Sequence, residues 1–156
     1  MGNITSIDDN TDALRQAVQQ MLSQHNFTHF VTLAFNRDTD INGARKTLGA
    51  WHGRLDSKLL GHRWAGRPEA ERTFFIAFPE HISTNLHYHL MVRPAAGRKC
   101  QFDDVAGVIW TGLVASGSIN IQPITNRKKL NSYVTKELNC ASSFENFVIS
   151  TEFSKK

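Results

Sequence analysis

Cysteine is scarce in this 156-residue sequence: there are two, Cys100 and Cys140, far apart and outside any Cys-x-x-Cys pair. They make neither a disulfide framework nor a thiolate zinc site, and they fit a reducing, intracellular setting. No apolar run approaches the roughly 18–20 residues that a membrane helix needs, so no membrane partner is expected. The polar opening residues carry no secretory signal. Met1-Gly2-Asn3-Ile4-Thr5-Ser6 does fit the myristoylation pattern, but that pattern is short and carries no meaning in most bacterial proteins. No repeat, low-complexity stretch or linker divides the chain. Tyrosine is nearly absent too, with Tyr88 and Tyr133 the only two.

Apolar residues make up 40% of the chain and charged residues 21%. That balance predicts one compact domain over residues 1–156 and argues against disorder. The formal net charge is +4, and the basic residues are unevenly placed. Before Arg37 there is only Arg15, against Asp8, Asp9 and Asp12, whereas Arg45-Lys46, Arg98-Lys99 and Arg127-Lys128-Lys129 cluster later. Such an excess suits a polyanionic partner, but each cluster taken singly reads as a solvated surface.

The hydrophobic periodicity gives an order of elements. Asp9 to His25 reads as an amphipathic helix with Leu14, Val18, Met21 and Leu22 on one face and Asn10 or Thr11 as N-cap. Phe27 to Asn36 reads as a strand, and Ile41 to Leu60 as a helix ended by Gly61. Thr73 to Pro79 and Leu86 to Arg93 read as strands joined in an antiparallel hairpin. Phe102 to Ala115 reads as a helix with Asp103 and Asp104 in its first turn, Ile119 to Ile124 as a strand and Asn126 to Leu138 as a helix. Phe147 to Phe153 can add a last strand. This order predicts an α+β fold, with helices packed on a mostly antiparallel sheet.

His87-Tyr88-His89 is the sharpest local signal. Alternate side chains of a strand share a face, so Leu86, Tyr88, Leu90 and Val92 point to a core while His87, His89, Met91 and Arg93 point the other way. Two imidazoles so placed can converge on one divalent ion. An open site wants a third protein ligand, and Glu80, across the hairpin from His87, is the leading candidate. A carboxylate favours Mg²⁺ or Mn²⁺ over structural zinc. His81 is the weaker candidate, because an extended chain turns it away from Glu80.

With Tyr88 assigned to the core, Tyr133 is the remaining tyrosine. On a helix Tyr133 and Lys136 share a face one turn apart. A phenol is a poor nucleophile until activated, and a metal on the scissile phosphate together with the Lys136 ammonium would supply the charge stabilisation that phosphodiester transfer needs.

The combination resembles the replication initiators (Rep) of the HUH endonuclease superfamily, found in rolling-circle plasmids, phages and small single-stranded DNA viruses. Phe30-Val31-Thr32-Leu33-Ala34-Phe35-Asn36 is similar to the family's first motif, Leu86-His87-Tyr88-His89-Leu90 to its metal motif and Tyr133-Val134-Thr135-Lys136 to its nucleophile motif. Glu80 resembles the acidic ligand of parvovirus-type Rep domains. The three motifs fall in family order within residues 27–138, and histidines ahead of a single tyrosine resemble the Rep and single-tyrosine transposase branches rather than relaxases. The first motif is loose, and Gly43-Ala44-Arg45-Lys46-Thr47 lacks the glycine that a P-loop needs before its lysine. The chain therefore reads either as a nuclease domain of a longer protein or as a small initiator working with a host helicase.

The resemblance implies an RRM- or ferredoxin-like central antiparallel sheet carrying a Mn²⁺ or Mg²⁺ site made of Glu80, His87 and His89. It implies nicking of a single-stranded or hairpin origin by Tyr133 with help from Lys136, a 5′-phosphotyrosine link, and later strand transfer. Arg37, Arg93, Arg127 and Lys128 are then candidate phosphate contacts, and Trp51 or Trp64 candidate base-stacking residues. The location implied is the cytoplasm of a prokaryotic host, or the nucleus for a eukaryotic virus. A single-tyrosine transposase and a non-catalytic nucleic-acid-binding module are the competing readings.

Overall fold

The computed structural model describes residues 3–126, 128 and 146–154. Among the described residues three helices and five strands are formed: α1 (Asn3–Gln24), β1 (His29–Ala34), α2 (Ile41–Leu60), β2 (Phe74–Glu80), β3 (His87–Arg93), α3 (Lys99–Leu113), β4 (Ser118–Pro123) and β5 (Val148–Ile149). One antiparallel sheet runs β4-β1-β3-β2-β5. The stretch from β1 to β4 is a βαββαβ unit, consistent with the ferredoxin-like arrangement. The α+β expectation holds.

Local chemistry sets the element ends. Asp40 caps α2 by accepting from the Gly43 amide, and Gly61, at φ 94°, closes it with its N–H on the Ser57 carbonyl. A positive φ at the C-terminal cap suits glycine, which has no Cβ to clash. α1 begins at Asn3, upstream of the expected Asp9, and the three-to-four spacing of apolar residues does run back through Ile7 and Ile4. α3 begins at Lys99, so Asp103 and Asp104 fall in its second turn rather than its first. The expected final strand shortens to Val148–Ile149 and then tightens into a 3₁₀ turn, Ser150–Ser154. The predicted helix over Asn126–Leu138 lies almost wholly outside the described residues.

Two apolar layers sandwich the sheet. On one face α2 and α3 cover Val31, Leu33, Phe75, Ala77, Tyr88, Leu90 and Val92. Trp51 donates its Nε1–H to the Ala106 carbonyl and Trp110 to the Ala34 carbonyl, which ties α2 to α3 and α3 to β1. On the other face Val18 and Leu22 of α1 pack with Phe27, Phe74, Ile76, Phe78 and Met91. β2 is therefore buried on both sides until Glu80. β3 is buried on both sides only from Leu90 to Val92, and before that every second residue is partly open. His87-Tyr88-His89 occupies that open beginning. Among the described residues no helix is long and apolar enough to cross a membrane.

Candidate metal centre

Pairing of β2 with β3 sets Glu80 opposite His87, as the hairpin reading required. Alternation then turns Glu80, His87 and His89 to the same face, where α1 no longer covers the sheet. Their donor atoms converge, with His87 Nε2 2.9 Å and His89 Nε2 2.8 Å from Glu80 Oε2, and the two imidazole nitrogens 3.2 Å apart. The three side chains are 14–16% exposed, recessed yet reachable from solvent.

The outer ring nitrogens are held as well. His87 Nδ1 lies 3.1 Å from the Asn85 carbonyl, and His89 Nδ1 lies 3.0 Å from Thr32 Oγ1. A carbonyl can only accept, so Nδ1 of His87 donates to Asn85, which leaves Nε2 as the ring atom directed at Glu80 and available to an ion. Phe30 stacks on the His89 ring at 5.5 Å and 16°, which limits its tilt. Burial pushes the His89 imidazole below the usual histidine range, with Glu80 opposing that shift and His87 and His81 adding to it. That direction favours the neutral imidazole that a ligand must be.

Such a donor set suits a cation. A carboxylate oxygen and two imidazole nitrogens meet within 4.8 Å of one another, and the three can hold a metal ion. An octahedral ion with bonds of about 2.1 Å has ligand–ligand edges of roughly 3.0 Å, and a tetrahedral one edges of roughly 3.4 Å. The three observed separations of 2.8, 2.9 and 3.2 Å are those of ordinary hydrogen bonds, and they bring the donors within reach of one ion without choosing its geometry.

His81, the weaker ligand candidate, stays outside the converging group. An extended chain would turn it away from Glu80, but β2 ends at Glu80 and His81 takes a left-handed backbone, φ 51°. That bend brings its ring to 5.3 Å from the His87 ring. The Thr84 and Asn85 amides donate to its carbonyl and fix the turn. No alternation rule predicts a side chain placed by a turn residue, so the sequence carried no usable signal for it.

The remaining expected residues scatter. Arg37 is exposed on the loop after β1, at the end of the sheet that carries Glu80 and His87. Arg93 is six residues along β3 from His87, on the order of 20 Å away. Its guanidinium lies over the Phe74 ring and donates to the Glu69 carbonyl. Lys128 is exposed. Tyr133, Lys136 and Arg127 lie outside the described residues. Trp51 is fully buried between α2 and α3, so base stacking by Trp51 is ruled out: its indole is core and its N–H is already used. Trp64 packs edge-on against His52, a buried α2 residue, and so belongs to the helix layer rather than the face that carries Glu80, His87 and His89.

Tyr88 is in the core, as expected. Its hydroxyl has no hydrogen-bond partner among the described residues, and burial pushes its pKa up to about 12 against a small opposing pull from Arg45. It faces the helix layer, away from the histidines on either side of it.

No family model, curated protein or solved structure matches the chain.

Proposed function

We propose that the protein is a metal-dependent endonuclease that nicks single-stranded DNA at an origin, or in its hairpin, and becomes joined to the 5′ end through Tyr133. The observation that carries this reading is the convergence of Glu80, His87 and His89 on one face of a ferredoxin-like sheet. The ordered motifs of the HUH resemblance add the nucleophile. Tyr88 is disqualified by burial and by a pKa of about 12, leaving Tyr133 as the one tyrosine available to attack. The chain leaves β4 at one edge of the sheet and enters β5 at the other, and Tyr133 lies on the stretch between them.

In this reading Glu80, His87 and His89 would hold Mn²⁺ or Mg²⁺, favoured over zinc by the hard carboxylate. When bound, the ion supplies Lewis-acid polarisation of the scissile phosphate. Tyr133 Oη forms an ester with phosphorus as the bond to the 3′-oxygen breaks. The phenolic proton passes to water, and the 3′-oxygen gains one to become a hydroxyl. Lys136 stabilises the negative charge on the phenolate. The ester is conserved in the phosphotyrosine, so a free 3′-hydroxyl can reverse the step and transfer the strand. Arg37, Arg93, Arg127 and Lys128 are candidate phosphate contacts, of which Arg37 shares the metal-bearing end of the sheet. A host or fused helicase would supply unwinding.

Incubation with single-stranded, origin-like oligonucleotides and Mn²⁺ tests this directly. The expected product is a protein–DNA adduct that survives a denaturing gel, disappears with EDTA and does not form with Tyr133→Phe. An adduct that persists in Tyr133→Phe would overturn the mechanism.

A further inference from the structure

The two histidines of the triad are braced differently, and the difference falls on Thr32. His87 is braced by the Asn85 carbonyl in the hairpin that precedes it, whereas His89 depends on a side chain from the neighbouring strand. Thr32 and His89 are directly opposed in the β1–β3 pairing, so the 3.0 Å contact between Thr32 Oγ1 and His89 Nδ1 is built into the register. Phe30, two residues before Thr32 and on the same face, stacks on the same ring.

These two contacts do separate things. The Phe30 ring limits tilt but cannot choose between ring orientations related by a half-turn about Cβ–Cγ. A half-turn would place the Cδ2–H edge against the Thr32 hydroxyl and lose the hydrogen bond. The hydroxyl therefore selects the orientation seen here, in which Nε2 meets Glu80 at 2.8 Å. A hydroxyl can also accept from Nδ1–H, which leaves the lone pair on Nε2. Outer hydrogen bonds of this kind orient a ligand and fix its tautomer.

We propose that Thr32 is a positioning residue of the metal site, holding His89 as the Nδ1–H tautomer with Nε2 directed at the ion. The proposal rests on the metal reading of Glu80, His87 and His89. Thr32 touches neither ion nor substrate and acts through His89 alone.

Thr32→Val removes the hydroxyl at nearly constant shape and keeps a β-branched residue in a strand, while Thr32→Ser keeps the hydroxyl. Titration calorimetry with Mn²⁺ is expected to show affinity weakened about 10- to 100-fold in Thr32→Val and changed less than about threefold in Thr32→Ser, with unchanged urea midpoints for both. In the Zn²⁺-loaded wild type, imidazole ¹⁵N spectra are expected to show the His89 proton on Nδ1. If wild type binds Mn²⁺ and Thr32→Val binds it within about twofold as tightly, Thr32 is an ordinary strand residue and the proposal falls alone. A His89 proton on Nε2 in the loaded protein would also sink it. If wild type binds no divalent ion, the metal reading falls and takes this proposal with it.

Discussion

Tyr88 stands between the two candidate ligands in sequence and on the opposite side of the sheet in space. Its ring fills the core beneath α2 and α3, and its hydroxyl is buried with no partner among the described residues. A buried hydroxyl left unpaired costs about 1–3 kcal/mol, so its removal should not harm the fold. Tyr88→Phe is accordingly expected to hold or raise stability in a urea titration and to leave adduct formation intact. A loss beyond about 1 kcal/mol would reveal a partner for the hydroxyl. The strand alternation that buries Tyr88 was legible in the sequence, because a period of two is a local property. The orientation of His81 was not, because its left-handed φ arises where the hairpin turns. Nor was the burial of Trp51, since α2's contact with α3 is a tertiary fact that neither helix announces.

α2 and β2 are joined by a small polar cluster within the apolar layer. Asp56, fully buried, accepts from the Thr73 amide at 3.1 and 3.3 Å, and His52 Nε2 donates to the Thr73 carbonyl at 3.0 Å. Burial pushes the His52 imidazole below its ordinary value and the Asp56 carboxyl above its own, while the attraction between them opposes both shifts. The signs follow from linkage. Below its unfolded value of 6.5 the unfolded chain protonates His52 before the folded one does, so its contribution to stability falls as pH drops through that value. Asp56 acts oppositely, since the folded form takes up its proton at a higher pH than the unfolded reference of 3.8. His52→Gln retains a donor for the Thr73 carbonyl but cannot titrate. Between pH 7 and pH 5 it should lose less stability to denaturant than wild type does, and an equal loss would show that His52 does not control this limb. At this scale the element order was legible because helix and strand periods differ over ten or more residues. The ends were less so: α1 runs on to Asn3, and β5 yields to a 3₁₀ turn after Ile149.

Across the whole molecule, the sheet faces are put to different uses. One is wholly core. The other is core under α1 and, among the described residues, open at the β1, β3 and β4 end, where Thr32 and Ala34 are partly exposed and Ser118, Asn120 and Gln122 exposed. An ion held by β2 and β3 would bind the folded chain and not the unfolded one, because the triad exists only once the hairpin is paired. At a hundred times Kd this linkage amounts to about 2.7 kcal/mol, or a rise of roughly 5–10 °C in the unfolding midpoint for a chain of this size. Scanning calorimetry with Mn²⁺ is expected to show such a rise in wild type and none in Glu80→Ala. An equal rise in that variant would place the ion elsewhere. The triad itself was legible because its acid and two histidines sit on adjacent strands of one hairpin, where spacing translates directly into proximity. The separation of Arg37 and Arg93 at opposite ends of the sheet was not, since spacing does not encode it.

The alternation along β3 also decides where the chain can change length. Leu86, Tyr88 and Leu90 serve the core while His87 and His89 serve the opposite face, so one strand carries two interleaved messages. A single residue inserted between Glu80 and His87 can be absorbed by the turn. The same insertion between His87 and Leu90 would shift the reading frame of the faces, sending imidazoles into the apolar layer and leucine or tyrosine into solvent. Folding and ligand geometry would be lost in one event, which makes this stretch intolerant of insertions and deletions and leaves the adjoining hairpin as the place where length can vary.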